Sequence, residues 1–359
     1  MIGAVLLAAQ VPPVPVAARN ERVLWAWLPG AAMCDDRPVA ATSLRRPHLA
    51  YGFASTDAPA GVTYRFRLDA SGRPLSIALD GERYVPYGGD IGPALAASRF
   101  APGPPRTGCT VSYTARRTVA AETPAPDLIS YTLNPAQGQL PRDAWAAIFP
   151  VTGNCNASPR PAPLVQAFPD FTKVPGTPGV RDWSMFAYDL DAKGAPQRIS
   201  LLTGTGNAAL DEAGRAALAR SRYTNGPRTG CRFPYWRAAA VMPAPDPSDK
   251  GSLRPVAATC PDKLAWATRP ALRYPEAYRR RSVEGWALVG FDLAPWGATG
   301  RVRVLASEPS SDFGEAAAQL IRASTVAESS AGATGCVERV RYIIGRPELA
   351  AKTATTAPY

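Results

Sequence analysis

Six cysteines are the residues of this chain whose type and spacing point most directly to chemistry. They fall into three pairs separated by 75, 76 and 76 residues, and the second member of each pair closes a Thr-Gly-Cys tripeptide. The pairs are Cys34 with Cys109, Cys155 with Cys231, and Cys260 with Cys336. A zinc site ordinarily needs close ligand pairs or several histidines. The chain has no Cys-x-x-Cys and one histidine, so the equal spacing predicts three disulfides, one in each repeat of the chain.

A few side chains could support acid or base chemistry. His48 could serve as a base, and five aspartates lie beside a cysteine or close to turn glycines: Asp35, Asp36, Asp69, Asp189 and Asp191. Aspartate at such positions is explained by turn formation, because its carboxylate accepts hydrogen bonds from nearby backbone amides. We therefore interpret these aspartates as turn residues rather than as catalytic pairs.

The segment from Leu202 to Ala209 imitates the Gly-x-Gly-x-x-Ala fingerprint of dinucleotide-binding proteins. That fingerprint requires a parallel βαβ unit and an acidic residue about 20 positions further on. Residues 224–232 contain no acidic residue, so we interpret the segment as a loop. No nucleophile elbow, phosphate-binding loop or zinc-protease motif is present. The sequence predicts a protein without catalytic residues, cofactor or metal ion.

Other landmarks repeat in register with the cysteines. Pro-Arg-Thr-Gly-Cys ends at Cys109 and again at Cys231. About midway between each cysteine pair lies an apolar-alternating run that ends at a turn glycine, namely 64–72, 186–194 and 289–297. Each run is typical of a strand followed by a turn. Three landmarks in a fixed order indicate a tandem triplicate.

The third copy has the clearest pattern. A short helix is predicted within 270–282, with Pro275 at its start, and strands at 286–293 and 301–306 are predicted to form a hairpin around Gly297. A second helix is expected at 313–323 with Asp312 as its N-cap, and a last strand at 336–344. The first and second copies fit this order with a weaker first helix, and their second helices are expected at 91–98 and 210–220.

These elements predict an α+β protein of three tandem small domains, at 22–117, 142–238 and 257–346. Each is expected to be a three-stranded antiparallel sheet with two helices on one face. The Pro- and Ala-rich stretches 118–141 and 239–256 are predicted to be semi-rigid linkers. A disulfide that closes a loop of this length contributes about 4 kcal/mol to so small a domain.

Composition and the N-terminus indicate an exported protein. The net charge of +11 comes from 35 arginines and five lysines that are mostly scattered, which does not favour a nucleic-acid surface. The apolar run 2–9 resembles the end of a secretory signal, so residues 1–18 are expected to be a short or truncated signal segment. No stretch is long and apolar enough for a transmembrane helix, and disulfides require an oxidising compartment. We expect a periplasmic location.

The third copy resembles the C-terminal domain of the TonB family. The resemblance is carried by the run from Tyr274 to Arg281, by Val283-Glu284-Gly285-Trp286, by the strand through Phe291, and by the helix start at Phe313-Gly314-Glu315. It implies an envelope protein whose sheet edge binds an extended segment of a partner, such as an outer-membrane transporter, by strand addition. By position, the partner-binding residues would be Val337, Arg339, Arg341 and Ile343. The alternative is a solvated face whose arginines protect the edge from aggregation.

Three functional hypotheses follow. The first is an exported, non-enzymatic protein that binds an extended peptide of an envelope partner. The second is a structural scaffold of the envelope or cell wall without a transport role. The third is a TonB energy transducer whose membrane anchor lies upstream of Met1, since the anchor and long spacer of that protein are not visible in the sequence. The partner, the oligomeric state and the binding capacity of the first two copies stay open.

Overall fold

The computed structural model describes residues 22–54, 58–135, 138–329 and 331–345. The expected signal segment at 1–18 lies outside these residues. We describe the chain as three units, each containing one disulfide: the first unit (22–118), the second unit (150–238) and the third unit (257–345). A first connecting segment (119–149) and a second connecting segment (239–256) join them. The division into three domains of common descent stays a proposal.

The first unit is built around a sheet in the order β2-β1-β8-β5-β6, with β4 paired to the same strand β1. Its strands are β1 (Arg22–Cys34), β2 (Arg37–Pro38), β3 (Ala41–Ser43), β4 (Ala50–Phe53), β5 (Val62–Leu68), β6 (Pro74–Leu79), β7 (Arg99–Phe100) and β8 (Arg106–Thr118). Its helix is α1 (Ile91–Ala96). Among the residues of this unit that the structure describes, the weak first helix expected before the hairpin is absent, because the chain there forms strands β1 and β4 instead.

The first connecting segment is folded rather than extended. After a 3-10 turn at Ala120–Glu122 come helices α2 (Ala125–Leu133) and α3 (Arg142–Ile148). The helices bury Leu128, Ile129 and Ile148 in a cluster that also contains Trp183 and Met185 of the second unit. The expectation of a spacer at 118–141 therefore misses a small helical layer, because proline near the start of a helix does not interrupt its hydrogen bonds.

The second and third units each have a three-stranded antiparallel sheet, in the orders β11-β10-β13 and β16-β15-β18. The second unit contains β9 (Pro163–Val165), β10 (Asp182–Leu190), β11 (Pro196–Gly204), α4 (Ala208–Arg220), β12 (Arg222–Tyr223) and β13 (Arg228–Arg237). The third unit contains β14 (Trp266–Thr268), α5 (Glu276–Arg280), β15 (Gly285–Leu293), β16 (Thr299–Glu308), α6 (Ser311–Arg322), β17 (Thr325–Val326) and β18 (Ala333–Tyr342). The predicted α+β architecture with small antiparallel sheets is confirmed.

In all three units a hairpin is followed by a helix, a two-residue strand and a long last strand. The hairpin glycine contacts the two-residue strand: the Tyr223 amide donates to the Gly194 carbonyl at 2.9 Å, and Phe100 with Gly72 and Val326 with Gly297 repeat this bond. Gly194 has φ +74°, and a side chain there would collide with the Tyr223 carbonyl. In each unit, this bond fixes the hairpin turn to the short strand that follows the helix.

A β-bulge also recurs in the second strand of each hairpin. Ser76, Arg198 and Arg301, each four residues after the turn glycine, have φ of 51°, 51° and 48°, and the register shifts there in all three hairpins. A bulge bends a strand and increases its twist. The bulged residue contacts the preceding strand at Arg67, Asp189 and Asp292 respectively.

The units pack against one another. One buried cluster joins Phe66, Ile77 and Phe100 of the first unit to Phe313 and Tyr342 of the third. Strand β6 contacts the start of α6, where the Ile77 amide donates to the Pro309 carbonyl at 2.9 Å. Within the described residues, no helix is long and apolar enough to cross a membrane.

Candidate functional site

The three predicted disulfides are present. Their Cα–Cα distances are 4.0 Å for Cys34–Cys109, 5.1 Å for Cys155–Cys231 and 5.0 Å for Cys260–Cys336. Because every cysteine is in a disulfide, none offers a thiolate to a metal ion. The described residues contain no group of His, Cys, Asp and Glu side chains arranged to hold one.

Each disulfide ties the chain to the outer side of a last strand. In the second unit the Cys155 amide donates to the Thr229 carbonyl at 3.1 Å, and in the third unit the Cys260 amide donates to the Thr334 carbonyl at 3.2 Å. In the first unit, Cys34 and Cys109 are paired directly across β1 and β8. The first cysteine therefore marks the point where the preceding chain meets the side of the last strand that faces away from the hairpin.

Strand β18 is an edge strand of its sheet. It pairs with β15 over Gly285–Leu293, and in the described parts of the chain no second strand pairs with its other side beyond the contact at Thr334. In an edge strand, alternate residues direct their N–H and C=O groups away from the sheet, and these groups can pair with an added strand. The edge of β18 is the candidate site.

The four side chains expected to bind a partner have different surroundings. Val337 is buried beside Trp286 and Leu288 on the sheet face opposite α6, and Ala244 of the second connecting segment packs against this cluster. Arg339 donates to the Ser248 carbonyl of the same segment at 2.7 Å. These two side chains therefore already contact the chain itself.

The other two predicted residues lie at the far end of the strand. Arg341 is exposed, and Ile343, one residue beyond β18, is 62% exposed. The four side chains do not form one continuous free surface, because the second connecting segment covers the face that Val337 and Arg339 share. What the edge offers is its backbone, with Arg341 and Ile343 at one end.

The second connecting segment is fixed on the outer face of the third unit's sheet. The Trp286 indole N–H donates to the Pro245 carbonyl at 2.8 Å, and the Met242 amide donates to the Ser282 carbonyl at 2.8 Å. The first connecting segment covers the second unit's sheet in the same way, with the Trp183 indole N–H donating to Ser130 Oγ at 3.1 Å. Each connecting segment thus shields the outer face of the sheet that follows it.

The residues that carry the family resemblance form a core rather than a binding surface. Tyr274 packs edge-on against Phe313 and Tyr342 at 6.1 and 5.5 Å between ring centres, and Tyr278 packs against Phe313 at 4.7 Å. Tyr278 donates its hydroxyl to Asp312 at 2.6 Å, and burial, followed by the negative charge of Asp312, raises its pKa.

Two expectations about helix starts have different outcomes. The structure has α5 directly after Pro275, as expected. The N-cap of α6 is Ser310, whose hydroxyl accepts from the Asp312 amide, and not Asp312. The Asp312 carboxylate does not cap the helix because it accepts the buried hydroxyl of Tyr278.

His48 lies next to a buried ion pair instead of in a reactive cleft. Its backbone amide donates to Asp90 Oδ2 at 2.6 Å. Burial, followed by the positive charge of Arg281, lowers the pKa of the His48 imidazole to about 4. Burial raises the pKa of Asp90, but the charges of Arg281 and His48 and their hydrogen bonds outweigh burial, so the pKa is lowered overall. This arrangement keeps the imidazole neutral and the carboxylate charged.

The aspartates near turns have structural roles. Asp69 accepts from the Ser71 and Arg73 amides at 2.9 Å each, and Asp191 accepts from Lys193 and Ala195 in the same pattern. Asp189 accepts from the Gly230 amide at 2.8 Å, next to the disulfide. Asp35 and Asp36 both have positive φ in the turn between β1 and β2.

The segment from Leu202 to Ala209 has no parallel βαβ geometry. Strands β10 and β11 are antiparallel. Asn207 accepts from the Leu210 amide at 3.1 Å, which caps α4.

Sequence patterns missed the charged residues that join the units. Glu308 is buried and accepts from Arg67 Nη2 at 2.7 Å, from the Ser76 amide at 2.6 Å and from Ser76 Oγ at 2.8 Å. At the position of Arg67, the second and third units have aspartates, Asp189 and Asp292, that bind within their own unit. The replacement of aspartate by arginine at this position of the first unit was the one sign in the sequence of a different partner, but it did not identify Glu308.

Comparison with known families identifies the C-terminal region. Residues 270–341 match the family model described as the Gram-negative bacterial TonB protein C-terminal. The match covers α5 to β18 of the third unit almost completely. No curated protein gives a significant match to the chain.

Proposed function

We propose, from the family match of the third unit, that this protein is exported to the periplasm and binds an extended segment of an envelope protein. The partner segment would add a strand to the outer edge of β18. The observation that carries the proposal is that β18 is the last strand of a TonB C-terminal unit and pairs on one side only within the described chain. Main-chain hydrogen bonds provide affinity in this binding mode.

The three disulfides support an exported location. Intrachain disulfides persist in oxidising compartments such as the periplasm and are rare in the bacterial cytosol. All three join residues that are 75 or 76 positions apart, and the cysteines of the first and third units are buried. Such bonds stabilise small units that have limited cores.

Selectivity for the partner would come from the end of the edge. Val337 and Arg339 contact the second connecting segment, so they are not free to contact a partner's side chains. Arg341 and Ile343 are exposed beside the last residues of β18 and would contact alternate side chains of the added strand. A partner segment with an acidic residue near an apolar one would fit this pair.

A structural envelope protein is the second candidate. It is favoured by the packing of the units on one another through Glu308 with Ser76 and Arg281 with Asp90. A scaffold requires such rigid joints. It would not require an unpaired edge, so peptide binding separates the two candidates.

The test is a titration of the disulfide-bonded chain with synthetic peptides that reproduce the N-terminal segments of outer-membrane transporters from the same genome. Backbone NMR signals are recorded for each peptide and for a scrambled control. We expect at least one peptide to shift and protect the amides of β18. If none of the peptides shifts β18 while the chain is folded, the transporter partner is excluded and the scaffold is favoured.

A further inference from the structure

The outer edge that is open in the third unit is occupied in the first unit. Strand β8 lies between β5 and β1, so the chain's own N-terminal strand β1 takes the place that a partner strand would take on β18. Strand β1 runs antiparallel along β8 from Leu24, opposite Thr118, to Cys34, opposite Cys109. The first unit therefore contains an added strand in cis.

This internal strand is held too firmly to be displaced by a peptide. Trp25 and Trp27 are fully buried, and Trp25 stacks on Tyr87 at 5.7 Å between ring centres. The Cys34–Cys109 disulfide fixes the end of β1 to β8. A competing strand would have to expose both indoles and still could not release Cys34.

The direction of the backbone groups can be read from the first unit. A side chain at Gly30 of β1 would meet the Ser112 carbonyl at 3.3 Å, whereas a side chain at Gly61, just before β5, would meet the Tyr113 carbonyl at 3.3 Å. The Ser112 carbonyl is therefore directed towards β1 and the Tyr113 carbonyl towards β5. Because the N–H and C=O of one residue in an antiparallel strand point the same way, Ser112 directs both groups to the outer edge.

The second unit has a proline at the matching position. Ser112, Pro234 and Arg339 each lie three residues after the second cysteine of their unit, and they are paired with Thr63, Met185 and Leu288 of the hairpin strands. Pro234 has no N–H, and the missing donor belongs to the outer edge. Proline on an edge strand is a known protection against strand addition. An incoming strand would leave one carbonyl unpaired against the ring.

The third unit has neither protection. Strand β18 contains no proline, and within the described residues its outer edge is unpaired from Cys336 to Tyr342. We infer that the chain accepts one added strand, on β18, because the first unit is closed by β1 and the second by Pro234. This inference rests on the proposed function. It adds that the first and second units do not bind a partner strand and instead pack against the rest of the chain.

Amide exchange in the free protein tests the state of the edges without any ligand. We expect the Ser112 amide to be protected because β1 covers this edge of β8, and the Arg339 amide to exchange at least about a hundredfold faster in NMR hydrogen–deuterium exchange. If the Arg339 amide is as protected as that of Ser112, the edge of β18 is closed and the inference is wrong.

The number of binding sites is tested with a peptide that copies residues 22–33 of β1. In the first unit, β1 occupies the edge of β8 that corresponds to the open edge of β18. Wild-type protein should bind one peptide, with protection confined to β18. Arg339→Pro should bind at least about tenfold more weakly than Arg339→Ala, which also loses the side chain but keeps the backbone N–H. Pro234→Arg restores the donor in the second unit and should raise the number of sites from one to two.

The outcomes separate the two proposals. Two sites in the wild-type protein, or no binding of the β1 peptide to it, would overturn the inference. One site for the β1 peptide together with no binding of any transporter segment would leave the inference intact and exclude the transporter partner. Should Arg339→Pro fail to fold, the gain of a site in Pro234→Arg still decides the matter.

Discussion

Arg281 and Asp90 form a buried ion pair that joins the third unit to the first, with Arg281 Nε 2.9 Å from Asp90 Oδ1 and Nη2 on the second carboxylate oxygen. The same guanidinium donates to the Arg46 carbonyl at 2.8 Å and to the Gly179 carbonyl of the second unit at 3.2 Å. One side chain, 2% exposed, is therefore bonded to all three units. The three units are therefore in direct contact at this point and are not separated by linkers.

Replacement of Arg281 should destabilise the whole chain. Arg281→Met leaves Asp90 charged and without its partner in a buried place, which costs about 3 to 5 kcal/mol. The measurement is the free energy of unfolding in urea. Arg279 is the matched control, since it is exposed and pairs with Glu276 on the surface, and Arg279→Met should change stability by less than about 0.5 kcal/mol. Equal effects of the two variants would contradict the prediction.

The hairpin turns and the disulfides could be predicted from sequence, because each of these landmarks has a local physical cause. Turn glycines such as Gly194 are required by positive φ, and the alternation in the hairpin strands reflects their two faces. The cysteine pairing was predictable from its nearly equal spacing along the chain. These features need no knowledge of distant contacts.

The arrangement of the edges could not be predicted in the same way. Strand β1 has apolar residues at Val23, Leu24, Trp25 and Trp27, a run without clean alternation, because both of its faces are buried at that end. Its pairing with β8 is a contact between segments about 80 residues apart, which local patterns do not encode. The covering of Val337 and Arg339 by the second connecting segment is of the same kind. Two of the four predicted partner residues, Val337 and Arg339, therefore lie on a face that the chain itself covers, while Arg341 and Ile343 stay exposed.

Stability should fall in mild acid because of His48. A histidine whose folded pKa lies below its unfolded value contributes stability that is complete above about pH 6.5 and is lost as the pH falls towards about 4. His48 is surrounded by Asp90, Arg281, Arg280 and Arg181, and protonation would add a positive charge beside three arginines. Because the imidazole is partly exposed, we expect a loss of roughly 2 kcal/mol over this range.

The measurement for His48 is the urea unfolding free energy at pH 7.5, 5.5 and 4.5. His48→Gln removes the titrating group and should flatten the dependence between pH 6.5 and 4.5. Below that range both proteins should lose stability, since the lowered pKa of Asp90 contributes in the same direction as the pH falls through it. An unchanged slope in His48→Gln would show that other groups control the acid sensitivity.

Each disulfide should contribute separately to stability. Replacing Cys155 and Cys231 by alanine opens a loop of 76 residues, and the chain-entropy model gives a loss of about 4 kcal/mol. We expect a smaller loss for Cys34 with Cys109, because β1 and β8 keep their ladder of hydrogen bonds when the bond is absent. Thiol counting with and without reductant checks that the wild type starts with no free thiols, and urea unfolding measures the losses. Losses below about 1 kcal/mol for both pairs would contradict the stabilising role.

The hairpin glycines should tolerate substitution only where space permits. Gly194→Ala places a methyl group against the Tyr223 carbonyl at a φ of +74°, and we expect a loss of about 3 kcal/mol or more, because backbone atoms cannot move aside cheaply. Gly206 is the matched control: its φ is +83°, yet a side chain there would meet nothing within 4 Å. Gly206→Ala carries the strain of positive φ alone, about 1 kcal/mol. The difference between the two unfolding free energies measures the contact between the turn glycine and the residue after the helix, and a difference near zero would mean that this contact does not fix the hairpin.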